Sequence, residues 1–147
     1  MSLKSSSVLV TGAAGFIGSH LVEALLPRCS HVRAFVRQTS RGDIGRLNDI
    51  PKPARKNVEI VFGDLRDPDA VSRAVQHSNI VFHLGAQVSV PYSFDHPRET
   101  WDSNAGGTLN ILQACYLHRN TLERLVHVSS SEVYGTAQSD DPMTENH

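Results

Sequence analysis

Cysteine is scarce in this chain, with only Cys29 and Cys115 among 147 residues. Both fall within, or at the end of, segments of helical spacing. They read as reduced, packed thiols rather than a disulfide framework, which implies a cytoplasmic location. An excess of charge of one sign is also lacking. The 14 Lys and Arg residues nearly cancel 15 Asp and Glu, for a net charge of −1. Nothing in that balance attracts nucleic acid or an anionic membrane surface. Long apolar runs are missing too: the stretches are strand-sized and broken by charge or glycine, so no membrane-spanning helix is expected. Met1-Ser2-Leu3 leads into Lys4 and three serines without the apolar core of a signal peptide, and reads as a short flexible start. The 8 histidines are scattered. None is spaced with a cysteine or carboxylate as a metal ligand would be, so no metal site is expected.

What is present suffices for one domain with a real core. Short β-rich runs alternate with amphipathic stretches. Strands are expected at Ser7–Val10, Val32–Val36, Val58–Phe62, Ile80–Leu84 and Arg124–Val128. Helices are expected at Phe16–Leu26, ended or kinked by Pro27, at Pro68–Gln76, and at Pro97–His118, with Trp101, Leu109, Leu112 and Tyr116 near one face. This alternation predicts an α/β fold built on a doubly wound parallel sheet with both faces covered, in strand order 3-2-1-4-5. Arg37–Asn57 and Gly85–Arg98 read as long loops at the carboxyl ends of strands, where such sheets bind ligands.

The most informative segment is Val10-Thr11-Gly12-Ala13-Ala14-Gly15-Phe16-Ile17-Gly18. Three glycines recur every third residue between a strand and a helix. Gly12 permits the sharp turn, Gly15 the close approach of a pyrophosphate, and Gly18 tight packing of helix on strand. The backbone N–H groups of Phe16, Ile17 and Gly18 at the helix start would face the phosphates. At the end of the second strand, Arg37 stands where a carboxylate would read the ribose hydroxyls of NAD. Arg37 and Arg41 could instead pair with a 2′-phosphate, which favours NADP over NAD, although both also fit as solvated loop arginines. After the third strand come Asp64 and Leu65. Asp67 suits the cap of the helix at Pro68, which leaves Asp64 free for a ligand. Leu84-Gly85-Ala86-Gln87 follows the fourth strand with small residues suited to close approach.

The glycine spacing, together with Ser129-Ser130-Ser131-Glu132-Val133-Tyr134-Gly135 after the fifth strand, resembles the extended short-chain dehydrogenase/reductases, in particular their epimerase and dehydratase branch. The resemblance implies a Rossmann domain over residues 1–147 with a substrate domain to follow. It also implies that Asp64 accepts from the adenine amino group and that Leu84–Gln87 lies along the cofactor ribose and pyrophosphate. Asn104, in Asn104-Ala105-Gly106-Gly107-Thr108, would support the active site, or else be a buried polar residue bonded to nearby backbone.

Ser130 would hydrogen-bond the sugar hydroxyl being oxidised. Glu132, or a carboxylate in its place, is what resembling sugar-nucleotide 4,6-dehydratases use to remove the proton α to the new ketone. The alternative for Glu132 is a solvated turn carboxylate. Ser131 departs from the aspartate that some dehydratases carry there. Arg37-Gln38-Thr39-Ser40 with Gly45-Arg46-Leu47 is similar to the GDP-mannose 4,6-dehydratases. Val90-Pro91-Tyr92-Ser93, with the run from Ser131 to Gln138, is similar to the amino-sugar-nucleotide 4,6-dehydratases.

The expected function is thus an NAD(P)-dependent sugar-nucleotide 4,6-dehydratase acting on a nucleotide sugar, and a homodimer when intact. The alternatives are a sugar-nucleotide 4-epimerase and a non-catalytic dinucleotide sensor. The Tyr-x-x-x-Lys pair that the resemblance calls for is lacking: His96, Asn120 and Gln138 stand four residues after the three tyrosines. The chain is therefore expected to be a truncated cofactor-binding part, marginally stable, self-associated or inactive alone.

Overall fold

The computed structural model describes residues 3–137 and 140–147. Met1, Ser2, Gln138 and Ser139 lie outside it, so the reading of Met1-Ser2 as a flexible start and the comparison at Gln138 fall beyond the described residues. Five parallel strands, β1 (Ser7–Thr11), β2 (His31–Arg37), β3 (Val58–Gly63), β4 (Ile80–His83) and β5 (Arg124–His127), form one sheet in the order β3-β2-β1-β4-β5. Val8 in β1 is opposite Val32 in β2 and Ile80 in β4, so the central strand is paired on both sides.

Because alternate side chains point to opposite faces, a doubly covered strand must be apolar throughout. Val8, Val10, Val32, Ala34 and Val36 pack on one face with Val22 and Leu25 of α1 (Phe16–Leu25). Leu9, Phe35 and Val81 pack on the other, against Val71 and Val75 of the helix Pro68–Val75 (α3) and Ile111, Ala114 and Cys115 of the helix Gly107–Leu117 (α6). The one charge in β2's interior, Arg33, is buried but fully engaged. Its Nε and Nη2 donate to the two oxygens of Glu59 at 3.0 and 3.1 Å, and its Nη1 donates to the Ala74 carbonyl. That guanidinium, with a lesser bond from His31, holds the Glu59 carboxyl below its usual range.

Asp67 caps α3 as expected, its carboxylate accepting from Asp69 N and Ala70 N. Three expectations need correction. Arg37–Asn57 is not a plain loop: Gly45–Asp49 makes a 3₁₀ turn that buries Leu47, and α2 (Lys52–Arg55) follows. Gly85–Arg98 likewise contains α4 (Val90–Asp95), capped by the Ser89 hydroxyl. The long helix from Pro97 is interrupted. Pro97–Trp101 forms α5, Asp102–Gly106 is a π-helical turn, and α6 begins at Gly107. On α6, Ile111, Ala114 and Cys115 face the core, whereas Leu109, Leu112 and Tyr116 on its other face, and Trp101 of α5, are exposed. Both cysteines are free, and burial lifts the Cys115 thiol to about 11.

Candidate dinucleotide groove and active-site edge

A groove of about 590 Å³ opens at the carboxyl ends of the strands. Its floor is the turn from β1 into α1. Gly12 has φ +67°, and a Cβ there would come within 2.8 Å of the Leu84 backbone. A Cβ on Gly18 would sit 2.2 Å from the Gly12 carbonyl oxygen. The turn and the first helical turn thus pack against each other with no room for a side chain. Gly15 is the N-cap of α1 and no side chain caps the helix. The N–H groups of its first turn lack intrahelical acceptors and carry the positive end of the helix dipole into the groove.

Gly12, Gly15, Phe16, Ile17 and Gly18 all line this groove. Arg37 at the end of β2, Asp64 and Leu65 after β3, and Leu84, Gly85, Ala86 and Gln87 after β4 complete most of its wall. Asn104 does not line it, although its neighbour Ser103 does. Asn104 instead accepts from Gln87 N at 2.7 Å and donates to the Gln87 carbonyl at 2.9 Å, pinning the wall from behind. Arg41 is exposed and outside the wall.

Asp64 is not free, contrary to expectation. Its carboxylate takes a bidentate grip from Arg66, at 2.9 and 2.7 Å, and also accepts the Arg66 backbone N–H. The turn places the two residues side by side, and the guanidinium holds Asp64 below the usual carboxylate range.

Past β5, Val128 and Ser129 close one side of the groove. Ser130 and Glu132, the expected catalytic pair, are exposed and stand outside the wall. Ser130 caps the turn Ser131–Tyr134, its hydroxyl accepting from Glu132 N at 3.2 Å. The two residues are therefore coupled locally but are not inside the groove.

Sequence reasoning passed over a buried relay behind the groove. The Thr11 hydroxyl oxygen accepts from the N–H groups of Leu84 and Gly85, at 3.2 and 3.1 Å. With its oxygen so engaged, Thr11 donates its proton to His83 Nδ1 at 2.7 Å. His83 is then the Nε2–H tautomer and donates to the Thr108 hydroxyl at 3.1 Å. Burial and the nearby His127 ring, 5.3 Å away between centroids, depress the His83 imidazole to about 4. The relay ties β1, β4 and α6 together at the point where the glycine turn meets the groove wall. The only signal for it in sequence was a threonine and a histidine closing otherwise apolar strands.

Among the described residues, no group of three His, Cys, Asp or Glu side chains could hold a metal ion. No described helix is long and apolar enough to cross a membrane.

A parallel sheet in this order, with a glycine turn running into an uncapped helix at its carboxyl edge, defines a Rossmann-type fold. The chain belongs to the extended short-chain dehydrogenase/reductase family of epimerases and dehydratases: the family model described as GDP-mannose 4,6 dehydratase matches residues 9–147. It is 35% identical over 141 residues to a dTDP-glucose 4,6-dehydratase of Mycolicibacterium smegmatis, covering 95% of this chain and 40% of that protein. It is 35% identical over 138 residues to a GDP-mannose 4,6-dehydratase of Yersinia enterocolitica, covering 88% and 37% respectively. The solved UDP-glucose 4-epimerase of Thermus thermophilus, in complex with NAD, superposes with a TM-score of 0.77 at 34% identity, covering 95% of this chain and 43% of that one. The chain thus spans about two fifths of the length of the relatives it matches.

Proposed function

We propose that this chain is the cofactor-binding part of an NAD(P)-dependent sugar-nucleotide 4,6-dehydratase. The observation that carries the reading is the groove. Its floor is an uncapped helix start held against a side-chain-free turn, and its walls are the residues expected to line a dinucleotide site. The fit is sound, because such a floor offers N–H groups to a pyrophosphate without steric obstruction. In this reading the first turn of α1 holds the phosphates. Gly85 and Ala86 lie along the ribose, and Arg37 is the candidate contact for a 2′-phosphate, so NADP is favoured over NAD. A bound nicotinamide dinucleotide supplies reversible hydride acceptance, with no net redox change over the dehydration.

Ser130 holds the sugar C4 oxygen as it becomes a ketone. Glu132 takes the C5 proton, which the ketone acidifies, and water leaves across C5–C6. The substrate is a nucleotide sugar, and the substrate domain belongs to the rest of the protein. The reading includes a cytoplasmic location, supported by the free cysteines. It also includes homodimerisation through the helix following Asn104, supported by the exposed Leu112 and Tyr116.

The second reading is a sugar-nucleotide 4-epimerase, favoured by the solved relative of that name. It needs Ser130 but not Glu132. Glu132→Gln in the whole protein separates the two. Loss of 4-keto-6-deoxy product by at least about a hundredfold, with dinucleotide binding intact, is expected. Conversion of a UDP-hexose to its C4 epimer, untouched by the substitution, would overturn the dehydratase reading.

A further inference from the structure

Arg37 is not a lone cation at the end of the groove. Its Nη2 lies 3.3 Å from Oε1 of Glu99, which reaches across from α5. The same oxygen is 3.7 Å from Arg66 Nη1, and Oε2 accepts the Tyr92 hydroxyl at 2.7 Å. Arg66 in turn grips Asp64. Two guanidiniums and two carboxylates close on one another, so the network is neutral where Arg37 meets the groove. The Tyr92 hydroxyl, with the two arginine charges, holds Glu99 below the usual carboxylate range and keeps it ionised near neutral pH.

A 2′-phosphate carries up to two negative charges. To claim Arg37 it must displace Glu99 and accept a carboxylate as neighbour. A plain ribose, whose hydroxyls need no cation, disturbs neither arginine. We infer that Glu99 sets the groove's discrimination between a plain and a 2′-phosphorylated adenosine ribose, by occupying Arg37 and by opposing the phosphate charge. This rests on the reading of the groove as a dinucleotide site and deepens it. Arg37 supplies attraction for the phosphate, and Glu99 limits how much of that attraction is available. Arg37 was visible at the end of β2. Its partner lies 62 residues on, in a segment whose sequence carries no cofactor signature.

The test is side-by-side calorimetric titration of NAD and NADP into the whole protein, unsubstituted and as Glu99→Gln. Removing the carboxylate should raise NADP affinity relative to NAD by roughly threefold to tenfold, the range for partly exposed ion pairs acting on a doubly charged group. The rise should largely vanish when Arg37→Gln is added. Glu99→Ala, which leaves no amide to substitute for the carboxylate, should shift the ratio the same way. A ratio that stays put in both Glu99 variants overturns the inference, and so does an equal rise without Arg37. If the unsubstituted protein binds neither dinucleotide, the parent reading fails instead.

Discussion

His83 provides the sharpest quantitative expectation. In an unfolded chain its imidazole titrates near 6.5, and in the fold it is held at about 4 by burial and by His127. The folded chain therefore binds this proton more weakly than the unfolded chain does. The associated stability is complete above pH 6.5 and is lost as pH falls toward 4. A tenfold change in proton affinity is worth about 1.4 kcal/mol. Linkage then gives a loss on the order of 1–2 kcal/mol by about pH 5.5 and on the order of 2–3 kcal/mol by about pH 4.5. The structural reason is that a protonated ring has no acceptor left for the Thr11 hydroxyl proton, so the relay breaks where it supports Leu84 and Gly85. The assay is urea denaturation at about pH 7, 5.5 and 4.5, comparing the natural chain with His83→Asn. Asparagine does not titrate and can still face Thr11. The variant is expected to be less stable at neutral pH but to have a flatter profile, by roughly 2 kcal/mol or more across the range. Parallel profiles would refute this account of His83. Carboxylates such as Glu59 and Asp64 also lose stability toward low pH, but they titrate in both proteins and cancel in the difference.

The remaining expectations concern the glycine floor and the helix behind it. Gly18→Ala forces a Cβ to within 2.2 Å of the Gly12 carbonyl, so the backbone must shift. It should cost about 2–4 kcal/mol of stability and lower dinucleotide affinity at least tenfold, and an unchanged melt with unchanged affinity would show the packing to be looser than described. Asp67→Ala removes the acceptor for two N–H groups of α3 and should cost about 1 kcal/mol by thermal denaturation, with no change at the groove.

The layered sheet, its strand order and most of the groove wall were legible in residue order alone. Each rests on a local rule. Strands covered on both faces must be continuously apolar, as Val8-Leu9-Val10 are. A turn that admits no Cβ must be glycine, as at Gly12 and Gly18. A proline-started helix wants an acceptor just before it, as at Asp67. These constraints act between near neighbours, so they leave a trace along the chain.

Which polar groups meet across distance was settled by folding in three dimensions. The turn at Asp64 gives no sign in sequence that Arg66 folds back onto it. The helix α6 carries apolar residues on two faces, and only packing decides that Ile111, Ala114 and Cys115 are covered while Leu112 and Tyr116 stay exposed. Thr11, His83 and Thr108 converge because β1, β4 and α6 are brought together by core packing, with spacings that no local pattern records. The same holds for Arg37 and Glu99. The glycine turn opens a side-chain-free floor in the groove, while the pairing of two distant charged side chains carries the proposal about which ribose it accepts.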